Sequence, residues 1–274
     1  MVDNKYDVRV INLKSRPERW EHFSEVSPFT NYSRFNAVDG RNLSNENRIV
    51  KIKLKSIEGQ DRVLGEIGCT LSHYMLWRYV REQKNPVLIL EDDVIFHDDS
   101  IQTLTEAYEE LCSGNLKDAD WVLAWVGGQW TPKYGIKSVC KFPFHYSKDV
   151  DPWYTKISNS LYMRHSVGRA GWRSPTYRTT SGYFISPAGA GLLIKLADRD
   201  PNFFNIAIDI WMLRIEAMYL PVRYMDVFPH PIYQGSYNIG EGDWSAVATG
   251  PDINNDERLQ NSDVLRGKSE KIIL

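Results

Sequence analysis

Cysteine is scarce in this chain, with three among 274 residues. Cys69, Cys112 and Cys140 show no metal-ligand spacing, and three thiols cannot pair completely, so the pattern fits a reducing compartment. Cys69 and Cys112 fall in segments with helical periodicity, where a thiol serves as a small core hydrophobe. No apolar run reaches transmembrane length. The opening Met1-Val2-Asp3-Asn4-Lys5-Tyr6-Asp7 lacks the character of a signal peptide, so a cytoplasmic location is the default expectation. Charge of one sign is also missing. The 33 Lys and Arg against 35 Asp and Glu leave a net charge of −2 and a pI near 6.3. That balance argues against a nucleic-acid protein driven by a basic field. No internal repeat and no Pro-, Gly- or Ser-rich linker divides the chain. A single domain over residues 1–274 with a substantial core is expected.

Aromatic residues are plentiful, with nine Trp and fifteen Tyr. Flat apolar rings with polar handles suit stacking on sugars or bases. The most informative stretch is Val87-Leu88-Ile89-Leu90-Glu91-Asp92-Asp93-Val94-Ile95-Phe96. Its apolar run reads as a buried parallel strand that ends in three adjacent carboxylates. Ligands in open α/β sheets bind outside the carboxyl ends of strands. Carboxylates this close repel one another and ionise more readily beside a divalent cation such as Mn²⁺ or Mg²⁺. The alternative is a solvated acidic turn.

Hydrophobic periodicity orders the rest. Strands are expected at Val8 to Leu13, Ser33 to Val38, Trp121 to Val126, Gly182 to Ile185 and Val222 to Phe228. Helices are expected after Pro17, over Gly65 to Tyr79, around Ile101 to Leu111, over Ala188 to Ala197 and over Ile208 to Tyr219. Alternating strands and helices imply an α/β fold, a mainly parallel sheet with helices on both faces. Residues 41–62 are polar and irregular. Residues 129–178 read as a long loop or lid, and a Gly-, Pro- and Tyr-rich tail begins near 229.

Several motifs stand in a distinctive order. Val10-Ile11-Asn12-Leu13 is followed by Arg16 and Arg19, then by Ala37-Val38-Asp39-Gly40. Gly65-Glu66-Ile67-Gly68-Cys69 leads to Leu71-Ser72-His73. Leu90-Glu91-Asp92-Asp93-Val94, Gly182-Tyr183-Phe184-Ile185-Ser186 and Asp209 complete the set. Over roughly residues 8–235 the chain resembles glycosyltransferase family 25, which includes lipooligosaccharide and collagen hydroxylysine galactosyltransferases.

The resemblance implies a GT-A-like fold and an inverting, Mn²⁺-dependent (or Mg²⁺-dependent) hexosyltransferase. It would use a UDP-sugar donor, with glucose or galactose as the hexose, and a glycan or hydroxylysine acceptor. By the same resemblance Asp93 is the direct metal ligand, with Glu91 and His230 completing the shell. Asn12, Arg16, Arg19, Val38, Asp39, Ser72, Glu91, Asp92, Ser181 and Gly182 would bind the donor, and Asp209 would be the catalytic base.

Each residue also has a plainer role. Arg16 and Arg19 would serve as a solvated helix start, Val38-Asp39 as a turn, His73 as a structural histidine and Asp209 as a helix N-cap. Around Asp209 the sequence Ala207-Ile208-Asp209-Ile210-Trp211 lacks the family's Pro and second acid. Two rival functions stand beside the transferase: a two-metal phosphoesterase, which needs more ligands than one acidic cluster supplies, and a non-catalytic nucleotide-sugar or glycan-binding protein on a transferase fold.

Overall fold

In the computed structural model the described residues are 4–43, 64–113, 116, 121–128, 154–164, 180–218, 223–227 and 230–234. β1 (Asp7–Asn12) lies between and parallel to β2 (Ser33–Asn36) and β3 (Val87–Glu91). Beyond β3 the sheet continues through β9 (Gly182–Ile185), β5 (Leu123–Trp125), β10 (Tyr224–Val227), β8 (Leu161–Arg164) and β7 (Tyr154–Lys156). The pairings make β9 and β8 run against the other six strands. The sheet is therefore mixed, with most strands pointing one way, and it is flanked by helices as the alternating pattern implies.

Strand parity explains where the core sits. Val87 and Ile89 join one apolar cluster while Leu88 and Leu90 join the other. A strand covered on both faces needs apolar residues at every position, which is why β3 reads as a continuous run. On one face lie α2 (Leu64–Arg81), α4 (Pro187–Arg199) and α5 (Ile208–Met218), contributing Trp77, Leu193 and Trp211. On the other lie α1 (Pro17–Val26) and α3 (Ser100–Cys112), contributing Phe23, Leu104 and Tyr108. α1 opens with Pro17 in its first turn, where the missing N–H costs nothing. α4 is capped by Ser186, whose Oγ accepts from the Gly189 N–H at 2.9 Å.

A second, three-stranded sheet, absent from the periodicity reading, joins β4 (Val94–Phe96), β11 (Ile232–Gln234) and β6 (Gly127–Gly128). β11 runs antiparallel to β4 and returns the chain to the acidic turn, with Gln234 opposite Val94. Within the expected lid, residues 154–164 instead form the β7–β8 hairpin at the sheet edge. The rest of 129–178 and the tail after 234 lie outside the described residues. No helix among the described residues is long and apolar enough to cross a membrane.

The Val38–Gly40 turn presses onto the start of α2. A Cβ on Gly68 would lie 2.5 Å from the Val38 carbonyl oxygen and 2.8 Å from the Gly40 nitrogen. Both are backbone atoms with no rotamer to yield. Gly68→Ala is therefore expected to destabilise the fold by about 1–3 kcal/mol, the usual cost of overpacking. Urea unfolding checks this, and an unchanged midpoint would refute the close approach.

Candidate active site

β3 delivers Glu91 at its end, and Asp92-Asp93 make the turn before β4. Asp92 and Asp93 are only 8% and 6% exposed. Carboxylates taken out of water need paired charge and hydrogen bonds. Arg19, from α1, supplies both, with a terminal nitrogen 2.6 Å from Asp92 Oδ1 and 3.2 Å from Asp93 Oδ2. Asn12, at the end of β1, donates from Nδ2 to Asp92 Oδ2 at 2.5 Å and to the Arg16 carbonyl at 3.1 Å. Parity places these partners. Val8 and Val10 face the α1 side, so Asn12 does too.

Glu91 follows Val87 and Ile89 onto the α2 side. Its N–H donates to the Ser181 carbonyl at 2.9 Å. Its Oε1 accepts from Thr180 Oγ1 at 2.5 Å and lies 3.3 Å from His73 Nε2. Burial works to raise this carboxyl, but the bonds from His73 and Thr180 outweigh it, and the net direction is downward. Cys69, one turn before His73, brings its sulfur into the same corner. Ligand atoms of Cys69, His73 and Glu91 all lie within 4.8 Å of one another. Burial raises the Cys69 thiol well above its ordinary value, and the Glu91 and Asp209 charges add to the shift.

Asp209 sits in the first turn of α5, after Ile208, so it is inside the helix and not its N-cap. It is partly buried, and its Oδ1 accepts from the Ile210 N–H at 2.7 Å. Its carboxyl is pushed up to about 6, chiefly by burial. The Ile210 bond opposes the rise, while the negative charges of Glu91 and Glu66 assist it. Asp209 and Glu91 thus have carboxyls shifted in opposite directions in one electrostatic neighbourhood.

The other expected residues fall into distinct places. Val38 N–H donates to Ser72 Oγ at 2.8 Å, and Ser72 Oγ donates to the Gly68 carbonyl at 2.7 Å. Ser72 is fully buried, so it reaches a ligand only through Val38. Asp39 Oδ1 accepts from the Arg41 N–H at 2.9 Å at the start of a 3₁₀ turn, Gly40–Asn42. Arg16 pairs with Glu18 at the start of α1. Ser181 and Gly182 are buried beside Glu91, with Gly182 opposite Leu90.

His230 is not brought to the acids. The register sets Gln234 opposite Val94 and Ile232 opposite Phe96, so His230 lies beyond Phe96. His230 lines a separate cavity of about 260 Å³ with His97, Asp99 and Glu106. The sequence reading put it in the metal shell through the family resemblance, which carries no register for β11. It also missed Thr180 and the position of Cys69.

Glu91, Asp92 and Asp93 offer oxygen donors at one strand end, with Glu91 on the α2 side and both aspartates against Arg19 on the α1 side. Among the described residues their oxygens are not gathered as closely as the ligand atoms of Cys69, His73 and Glu91. Carboxylate oxygens are the ligand type that hard divalent cations such as Mn²⁺ or Mg²⁺ take. The Cys69, His73 and Glu91 trio offers sulfur, nitrogen and oxygen, a mixture suited to a softer ion.

Comparison with known proteins bears on this geometry. The family model for glycosyltransferase family 25 (LPS biosynthesis protein) matches residues 6–212. A glycosyltransferase 25 family member of Drosophila melanogaster is 42% identical over 99 residues, covering 32% of this chain and 16% of that protein. A putative glycosyltransferase of Acanthamoeba polyphaga mimivirus is 32% identical over 107 residues, covering 37% of this chain and 33% of that protein. Human procollagen galactosyltransferase 2 is 30% identical over 131 residues, covering 44% of this chain and 20% of that protein. The matched segments thus span a third or less of each of these relatives' own length.

Asp209 yields a stability test that needs no substrate. A carboxyl raised in the folded state binds protons more tightly there than in the unfolded chain. Its stabilising contribution is complete below the unfolded value of about 4 and is lost as pH rises through about 6. Asp209→Asn is uncharged at every pH. Relative to wild type it should gain stability between pH 4 and 6 and plateau above, by up to about 2 kcal/mol after allowing for solvent screening. Urea denaturation across that range checks this, and a pH-independent difference would contradict it.

Proposed function

The chain belongs to glycosyltransferase family 25, and we propose that it transfers glucose or galactose from a UDP-sugar to an acceptor hydroxyl with inversion. The acceptor is the hydroxyl of a glycan or of hydroxylysine, a reading supported by similarity to procollagen galactosyltransferases. The observation that carries the proposal is the meeting of Glu91, Asp92, Asp93 and Arg19 at one strand tip, with Asp209 electrostatically coupled to it. The transferase domain spans residues 1–274 in this reading.

Asp93 and Glu91 would hold Mn²⁺ (or Mg²⁺), which when bound neutralises charge on the leaving diphosphate. Asn12 and Asp92 order the tip on the α1 side. Arg19 and Arg16 lie on the same side, where a guanidinium suits phosphate. Val38 and Asp39, fixed through Ser72 and the following 3₁₀ turn, face the nucleoside. Ser181 and Gly182 set the backbone wall beside Glu91.

Asp209 takes the acceptor hydroxyl proton. The oxygen then forms the bond to the anomeric carbon as the bond to the diphosphate oxygen breaks and UDP departs. A base at about 6 is ionised at neutral pH yet still able to accept a proton. Transfer should therefore rise with pH through about 6 and then level. Non-catalytic binding of nucleotide-sugar is the competing reading, and slow donor hydrolysis without acceptor distinguishes a transferase from it.

Asp93→Asn is expected to lower turnover by about 10²–10³-fold. EDTA should abolish activity and Mn²⁺ restore it, and full activity in EDTA would refute the metal assignment. Asp209→Asn should lower transfer by ~10²–10⁴-fold while UDP and Mn²⁺ affinities hold near wild type. Calorimetry and transfer assays on the same folded protein check both halves. Weakened UDP binding would make Asp209 a donor support, and wild-type transfer would remove it from the chemistry.

A further inference from the structure

A line of hydrogen bonds runs from the core to the acidic tip. Trp77 Nε1 donates to Tyr183 Oη at 3.0 Å. Tyr183 Oη lies 2.8 Å from His73 Nδ1, and His73 Nε2 lies 3.3 Å from Glu91 Oε1. Trp77, Tyr183 and His73 are fully buried, so water cannot repair a mismatch among them.

The two ends fix the direction. An indole N–H only donates, and a carboxylate only accepts. Trp77 occupies one lone pair of the Tyr183 oxygen, and the phenolic proton then needs an acceptor. Among the described residues His73 Nδ1 is the acceptor at hydrogen-bond distance. The imidazole proton must then sit on Nε2, pointing at Glu91. The reverse tautomer would set two acceptors, Nε2 and Oε1, against each other and orphan the Tyr183 proton. A doubly protonated ring would orphan the same proton. Burial raises the Tyr183 phenol well above its ordinary value, so the phenol retains that proton.

We propose that His73 is a positioning residue, held as the Nε2–H tautomer by Trp77 through Tyr183, which fixes Glu91 for the donor. Thr180 donates to the same Oε1, so both of these bonds fall on one oxygen of Glu91. The second clause rests on the donor-binding reading given above. The chain also decides between the two uses of Glu91. With its proton on Nε2, His73 offers no lone pair to a metal, and the Cys69, His73 and Glu91 trio is not a soft-metal site.

Long-range ¹H–¹⁵N spectra of the whole protein, labelled at histidine, test the tautomer directly. His73→Gln identifies the signals among the six histidines. The expected result is Nδ1 in the unprotonated range and Nε2 in the protonated range. Protonation at Nδ1, alone or with Nε2, would overturn the proposal. So would a Zn²⁺-induced move of Nε2 into the metal-bound range.

The positioning clause is read from UDP affinity with Mn²⁺. His73→Leu should weaken it by roughly tenfold to a hundredfold, as for loss of a hydrogen bond to a charged group. His73→Gln, which retains an N–H donor, should recover most of that loss, a rescue that a merely space-filling role would not produce. Equal losses in both variants would overturn the positioning clause. Failure of wild type to bind UDP would overturn the donor reading itself, while the ring spectra would still decide the tautomer.

Discussion

Like charges crowd the tip of β3, and the rest of the site is arranged around that repulsion. Glu91, Asp92 and Asp93 are consecutive, and the two aspartates are nearly removed from water. Left alone, such a cluster would take up protons. Arg19 and Asn12 stabilise the ionised aspartates from one side, and His73 and Thr180 stabilise Glu91 from the other. Among the described residues Asp209 accepts only from backbone N–H groups, those of Ile210 and its own, and its carboxyl rises. Donor supply separates a carboxylate held ionised from one poised near neutrality.

The sequence made the acidic tip legible because β3 is covered on both faces. Its unbroken apolar run could belong only to an interior strand, and the acids after it had to lie at a strand end. Helices α1 to α5 were legible through their periodicity. Strand direction was not. Gly182 to Ile185 reads identically whether β9 runs with its neighbours or against them, since parity carries no polarity. β4, β6 and β11 are two or three residues long, too short for a period. The register of β11 that sends Gln234 to the acidic turn falls in that gap.

Side-chain roles were less legible than positions. Ser72 looked like a donor contact in the sequence. In the fold its hydroxyl ties Val38 to the Gly68 carbonyl, beside the close approach of Gly68 to Gly40. Cys69 looked like a core hydrophobe. It does pack against the core, and it also borders Glu91, because residues 69 and 73 share the helix face that residue 91 meets. Neither fact could be read without knowing which strand end faces which helix.

Parity joins these observations. Residues 87, 89 and 91 face α2, while residues 8, 10 and 12 face α1. The site therefore forms where both sheet faces run out, and each face contributes its own donors. α1 brings a cation, Arg19, whose mostly buried guanidinium pairs with Asp92 and Asp93. α2 brings His73, locked by Trp77 and Tyr183 within the aromatic core. A long guanidinium side chain can exchange partners when a phosphate arrives, whereas a histidine clamped at both nitrogens cannot follow it. One side of the acidic tip is thus held by ion pairs, and the other by a hydrogen-bond line anchored in the core.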